Sequence, residues 1–109
     1  MKRNSLFKME LLILTVLQKK DCYGYEIASA ISKESEGLIE CKEGIMYPIL
    51  HRLLDEHLIS CYEEVVNRKI RVYYHIEADG IVLQKELKKD FMRKFHCIGQ
   101  MIGGLDDDC

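Results

Sequence analysis

Residues 42–58, KEGIMYPILHRLLDEHL, decide how the rest of the chain is read. Ile45, Ile49, Leu53 and Leu54 recur at the spacing of one helix face, so that face is expected to be buried. Lys42, Tyr47, His51, Arg52 and Asp55 fall mostly on the opposite side and carry charged or hydrogen-bonding ends. Pro48 lacks a backbone donor and suits a helix start, which places the first turn around Gly44 to Ile45. About thirteen helical residues rise ~20 Å, enough to cross a DNA major groove. An ordinary amphipathic helix would look the same in isolation. The flanking sequence has to choose between the two.

Upstream, residues 23–35 read as a helix with Tyr23, Ile27 and Ile31 on one stripe. Asp21 is placed to cap its N-terminus, and Lys19 and Lys20 end the element before it. Residues 34–43 mix acidic side chains with Gly37 and read as a loop, so helix, loop and helix have helix-turn-helix spacing. Downstream, residues 57–64 alternate weakly and 71–76 (RVYYHI) are rich in β-formers, joined by the polar, basic Asn67, Arg68 and Lys69. A basic-tipped hairpin directly behind a helix-turn-helix is a winged helix. Alternatively, those charges only keep a sheet edge soluble.

Residues 6–17 (LFKMELLILTVL) are apolar almost without a break. A helix apolar nearly all round must be covered nearly all round, either by a second chain or as the central core helix of one chain. After Asp79-Gly80 a helix over 81–102 carries a stripe of Leu83, Leu87, Phe91, Phe95, Ile98 and Ile102 along ~30 Å. That is more apolar surface than a small domain covers, so a partner is expected there. Gly103-Gly104 ends the helix.

The fold class that follows is mainly α with a small β-hairpin: a winged helix-turn-helix over 1–78, then a C-terminal dimerisation helix and acidic tail over 79–109. The 109 residues allow one core. No apolar run is long enough to span a membrane, and the start lacks a secretory cleavage pattern, so a cytoplasmic protein is expected. Five scattered cysteines suit reduced thiols. The net charge of −2 does not announce a nucleic-acid partner, yet residues 1–20 hold five basic side chains against Glu10, with Asp106, Asp107 and Asp108 at the other end. Charge so divided leaves room for one basic face.

No phosphate-cradling glycine loop, nucleophile elbow or framed carboxylate pair is present, and neither an enzyme nor a cofactor is expected. Cys22, Cys41, Cys61, Cys97 and Cys109 with His51, His57, His75 and His96 lack metal-ligand spacing, so no metal site is assigned, although a metal- or thiol-responsive regulator stays among the alternatives.

Three strings in order, GYEI (24–27), GIMYPIL (44–50) with its following RLL, and RVYYHI (71–76) followed by Gly80, resemble the PadR family of bacterial transcriptional regulators over about residues 5–80. The short chain and single last helix look like the family's small subfamily. The resemblance implies a winged helix-turn-helix whose first and last helices dimerise, with double-stranded DNA as partner and a repressor's role on an inverted-repeat operator. Residues implied at DNA are Tyr25, Lys42, Gly44, Tyr47, His51 and Arg52, with Arg68, Lys69 and Arg71 on the wing. It also implies relief of repression by a small aromatic effector between the paired helices. Phe7, Met9, Leu11, Leu87, Phe91, Phe95 and Ile98 would line that place, or else pack it shut. The chain departs from the family in having Ile45 where Ser or Thr is usual and Glu77 where Thr is usual. Because Lys42 to His75 holds five basic and five acidic side chains, a winged-helix interaction module without DNA binding is the competing function.

Overall fold

The computed structural model describes residues 6–104. Its order is α1 (Met9–Lys19), β1 (Cys22–Tyr23), α2 (Gly24–Glu34), α3 (Glu43–Asp55), β2 (Ile59–Val66), β3 (Lys69–Ile76) and α4 (Ala78–Ile102). This is the winged helix-turn-helix expected from the sequence, with its long last helix. Lys2, Arg3, Asp106, Asp107, Asp108 and Cys109 lie outside the described residues. No described helix is long and apolar enough to cross a membrane.

α1 is the centre of the core. Ile13, Leu14 and Leu17 are almost completely enclosed, with α2, α4 and β3 packed around them. Ile27 and Ile31 of α2, Met46, Leu50 and Leu53 of α3, and Ile59, Tyr74 and Ile76 of the sheet complete the cluster. The apolar continuity of this helix is therefore satisfied largely within one chain. The surplus apolar surface sits on α4 instead.

Four details differ from the sequence reading. In α3 the buried row is Met46, Leu50 and Leu53, whereas Ile45 is 52% exposed and Ile49 is only half-buried. The helix carries two adjacent apolar rows, and the positions of α2 and the sheet select one of them. Its first residue is Glu43, so Pro48 is interior; it lies on the exposed side, where water can reach the Gly44 carbonyl that loses its donor. Tyr23, not Asp21, stands at the α2 cap, and its N–H donates to Glu26 Oε1 at 3.2 Å. The hairpin also gains a third strand, giving the antiparallel order β1-β3-β2. Two residues pairing Cys22 with Tyr74 and Tyr23 with Tyr73 are too short for any alternation to announce.

The wing turn is tight. Val66 pairs with Lys69, and the two residues between them, Asn67 and Arg68, have φ of 54° and 68°. Paired left-handed residues make the type I′ turn, whose twist matches that of the strands.

An internal polar contact joins α1 and α4. Gln84, 7% exposed, donates from Nε2 to Thr15 Oγ1 at 3.0 Å, and that hydroxyl donates to the Leu11 carbonyl at 2.6 Å. Thr15→Val removes the acceptor and strands a buried amide, which costs about 1–2 kcal/mol. Adding Gln84→Leu to that variant should recover most of the loss. Chemical unfolding of both variants checks it; a double variant weaker than Thr15→Val contradicts it.

Candidate nucleic-acid interface

The chain between α2 and α3 is held by local hydrogen bonds. Ser35 Oγ receives the Ile39 N–H at 3.0 Å, and Gly37, at φ 79°, sends its N–H to Ser32 O at 2.7 Å. α3 then crosses the end of the domain with Gly44, Ile45, Pro48, His51 and Asp55 exposed. At its far end His57 is left-handed (φ 60°), and Leu58 N–H reaches back to Leu53 O at 2.9 Å, which closes the helix and starts the wing.

The side chains singled out from sequence are not equally free. Tyr25 is 72% exposed on α2, and Lys42 is exposed at the α3 cap. Tyr47 lies with its ring end against Gly24, where a β-carbon would overlap the phenol oxygen. Arg52 forms an ion pair with Glu10 of α1, turning toward the helix bundle. Arg68 and Lys69 are exposed at the wing tip. Arg71 stands apart: its guanidinium sits 4.9 Å from the Tyr23 ring centre, and its Nε is enclosed without a hydrogen-bond partner. Cation–π attraction on Tyr23 holds it on the sheet.

One carboxylate organises the base of the wing. Asp21 accepts from Tyr62 Oη of β2 at 2.6 Å through Oδ2, and its Oδ1 lies 2.8 Å from His75 Nδ1 of β3. Tyr62 stacks on Tyr73 at 5.7 Å, and Tyr73 meets Tyr23 edge-on at 5.4 Å. Sequence reading gave Asp21 a different task, and no periodicity links it to partners 41 and 54 residues away. The cross-strand register Tyr62–Tyr73 would have been the signal.

This cluster is electrostatically polarised. Hydrogen bonds from Tyr62 and His75 hold the Asp21 carboxyl below its ordinary 3.8. The same bond to Asp21 raises His75 above 6.5 and pushes Tyr62 up to about 12. A raised histidine contributes stability that is complete below pH 6.5 and fades as pH rises through its folded value. A depressed aspartate contributes stability that is present above 3.8 and fades as pH falls through its folded value. The stability advantage of the native protein over His75→Gln should therefore be greatest between those limits and shrink above pH 6.5. Thermal melts at pH 5.5 and pH 8 test the sign; an advantage that grows with pH refutes it.

Cys22 and Cys41 are buried, and burial pushes both thiols up; Cys61 and Cys97 are exposed. Among the described residues no three or more His, Cys, Asp or Glu gather to hold a metal ion.

The residues marked for a dimer or effector surface divide in two. Leu11 is buried and Met9 and Leu87 pack on the core. Phe7 meets Phe91 edge-on at 6.5 Å, Phe91 stacks on Phe95 at 5.8 Å, and Phe95 and Ile98 are close to half exposed. Leu6, Phe95, Ile98, Gly99, Ile102 and Gly104 border an apolar crevice there.

A family model described as the transcriptional regulator PadR-like family matches residues 13–89. A solved Streptococcus mutans UA159 protein is 30% identical with a TM-score of 0.80, covering 92% of this chain and 91% of its own. A PadR family transcription regulator from hypervirulent Clostridium difficile is 33% identical with a TM-score of 0.69, covering 88% and 98%. Bacillus subtilis PadR in complex with operator DNA is 25% identical with a TM-score of 0.65; the likeness covers 72% of this chain but 44% of that one. The arrangement of helix-turn-helix, wing and long last helix, with the family match over most of its length, makes this chain a member of the PadR-like family of transcriptional regulators.

Proposed function

We propose that this protein is a homodimeric repressor that binds an inverted-repeat operator in double-stranded DNA. The observation that carries the reading is the pairing of an exposed α3 with a basic two-residue wing turn in a fold shared with an operator-bound relative. α3 occupies the major groove, Tyr25 lies near a phosphate, and Arg68 and Lys69 grip the backbone or minor groove. The half-exposed rings and aliphatic side chains of α4 meet their copies in the second protomer, which sets the two α3 helices ~34 Å apart, one DNA turn. A flat apolar compound entering beside Phe91 and Phe95 would change that spacing and release DNA, provided it prefers one spacing over the other.

The competing reading, an interaction module without DNA binding, draws support from the ion pair of Arg52 and the stacking of Arg71, which leave the interface few uncommitted cations. Salt separates the two. Duplex affinity should fall steeply with ionic strength, and Arg68→Ala with Lys69→Ala should weaken all duplexes alike while reducing the log–log salt slope by about one per lost phosphate contact. A slope untouched by the double change would take the wing off the DNA.

A further inference from the structure

From the way α3 is held, we infer that Ile45, with Pro48 beside it, is the specificity-determining contact of this helix and takes the 5-methyl group of a thymine. The inference rests on the DNA-binding reading above and names what that reading leaves open, the chemistry by which bases are distinguished. Helices in the major groove read bases through hydrogen bonds to ring edges or through apolar contact with the thymine methyl. Three of the usual hydrogen-bonding candidates are placed away from the first exposed turn. Arg52 is paired with Glu10 of α1, and Tyr47 presses its ring end on Gly24 of α2. Lys42 stands at the cap, before the first helical turn.

What α3 offers outward is different. Ile45 is 52% exposed, and Pro48, three residues on and so on the same side, is exposed as well. Gly44 precedes them with no side chain and has open space around it, so a base edge can approach closely. His51, one turn beyond, is the exposed side chain on this face that can both donate and accept. An apolar pair next to a glycine suits a methyl group and has nothing to give a guanine O6 or a cytosine amine. Ile45 also stands outside the core cluster, to which α3 contributes Met46, Leu50 and Leu53 with Ile49 and Leu54 packed against them.

Replacing thymine by deoxyuridine deletes only the methyl group, so the test needs no change to the protein. Operators are first selected from randomised duplexes with the full chain, and each thymine is then replaced singly. At one or more positions in each half-site affinity should fall about fourfold, the worth of one buried methyl-sized group. At those positions Ile45→Ala, whose fold is checked by its melting curve, should bind thymine and deoxyuridine duplexes equally. Indifference of the native protein to every replacement overturns the inference while leaving DNA binding intact, as does Ile45→Ala retaining the same sensitivity. If no duplex is enriched at all, the DNA-binding reading itself fails and this inference goes with it.

Discussion

Gly80→Ala should lower the melting temperature by roughly 10 °C or more, although helix propensity alone forecasts a gain. Gly80 is the third residue of α4, and an alanine there would ordinarily stabilise a helix by about 1 kcal/mol. Here the β-carbon would overlap the Leu58 carbonyl oxygen and lie 2.8 Å from Ile76 Cγ1. That carbonyl already accepts the Glu77 N–H at 3.0 Å, the bond that joins the start of the wing to the start of α4. Neither backbone can retreat without breaking it. Overpacking of this kind costs about 1–3 kcal/mol or more, and losing an enclosed hydrogen bond adds about 1 kcal/mol. For a domain of this size each kcal/mol moves the midpoint by roughly 4–8 °C. Calorimetry decides between the effects, and a melting temperature at or above that of the native protein would show that the clash relaxes without loss.

The second large effect is expected from two charges on α4. Phe95 and Ile98 are 45% and 47% exposed in the single chain, flanked by Met92 at 50% and Ile102 at 75%. Changing Phe95 and Ile98 to Glu should leave the fold of each chain intact, because neither residue belongs to the core cluster. The melting temperature should fall only by the share that dimerisation adds and lose its dependence on protein concentration. In a dimer closed through this face the same change places four carboxylates around the two-fold axis. Desolvation and mutual repulsion should then leave monomers. Losing the second half-site removes the effective concentration that links the two binding events, so operator affinity should drop by ~10²-fold or more. Sedimentation and DNA titration on one preparation check both halves of the expectation. A variant that stays dimeric would place the interface elsewhere on the chain.

The character of each element was legible in the sequence because it depends on local periodicity. Helical spacing through Leu54, β-formers from Val72 to Ile76 and helical spacing again after Gly80 fixed the winged arrangement, and GYEI, GIMYPIL and RVYYHI pointed to the family. The inward face of a helix is not set by the sequence wherever two rows of like residues compete. Ile45 and Met46 differ by one position and 100° of rotation, and only the approach of α2 and the sheet decided which was enclosed. Arg52 looked outward on its own helix, but Glu10, 42 residues earlier, lies within reach of its guanidinium. Asp21 was suited to capping the next helix until two wing strands brought a phenol and an imidazole to it. The sequence by itself determined the four helices and the wing hairpin, their order and the excess of apolar surface on the last helix, since those depend on neighbours along the chain. The two-residue β1, by contrast, exists only through its pairing with β3. Only the tertiary structure decided which charges are spent inside the protein and which face outward, because an ion pair or a hydrogen bond depends on distance through space.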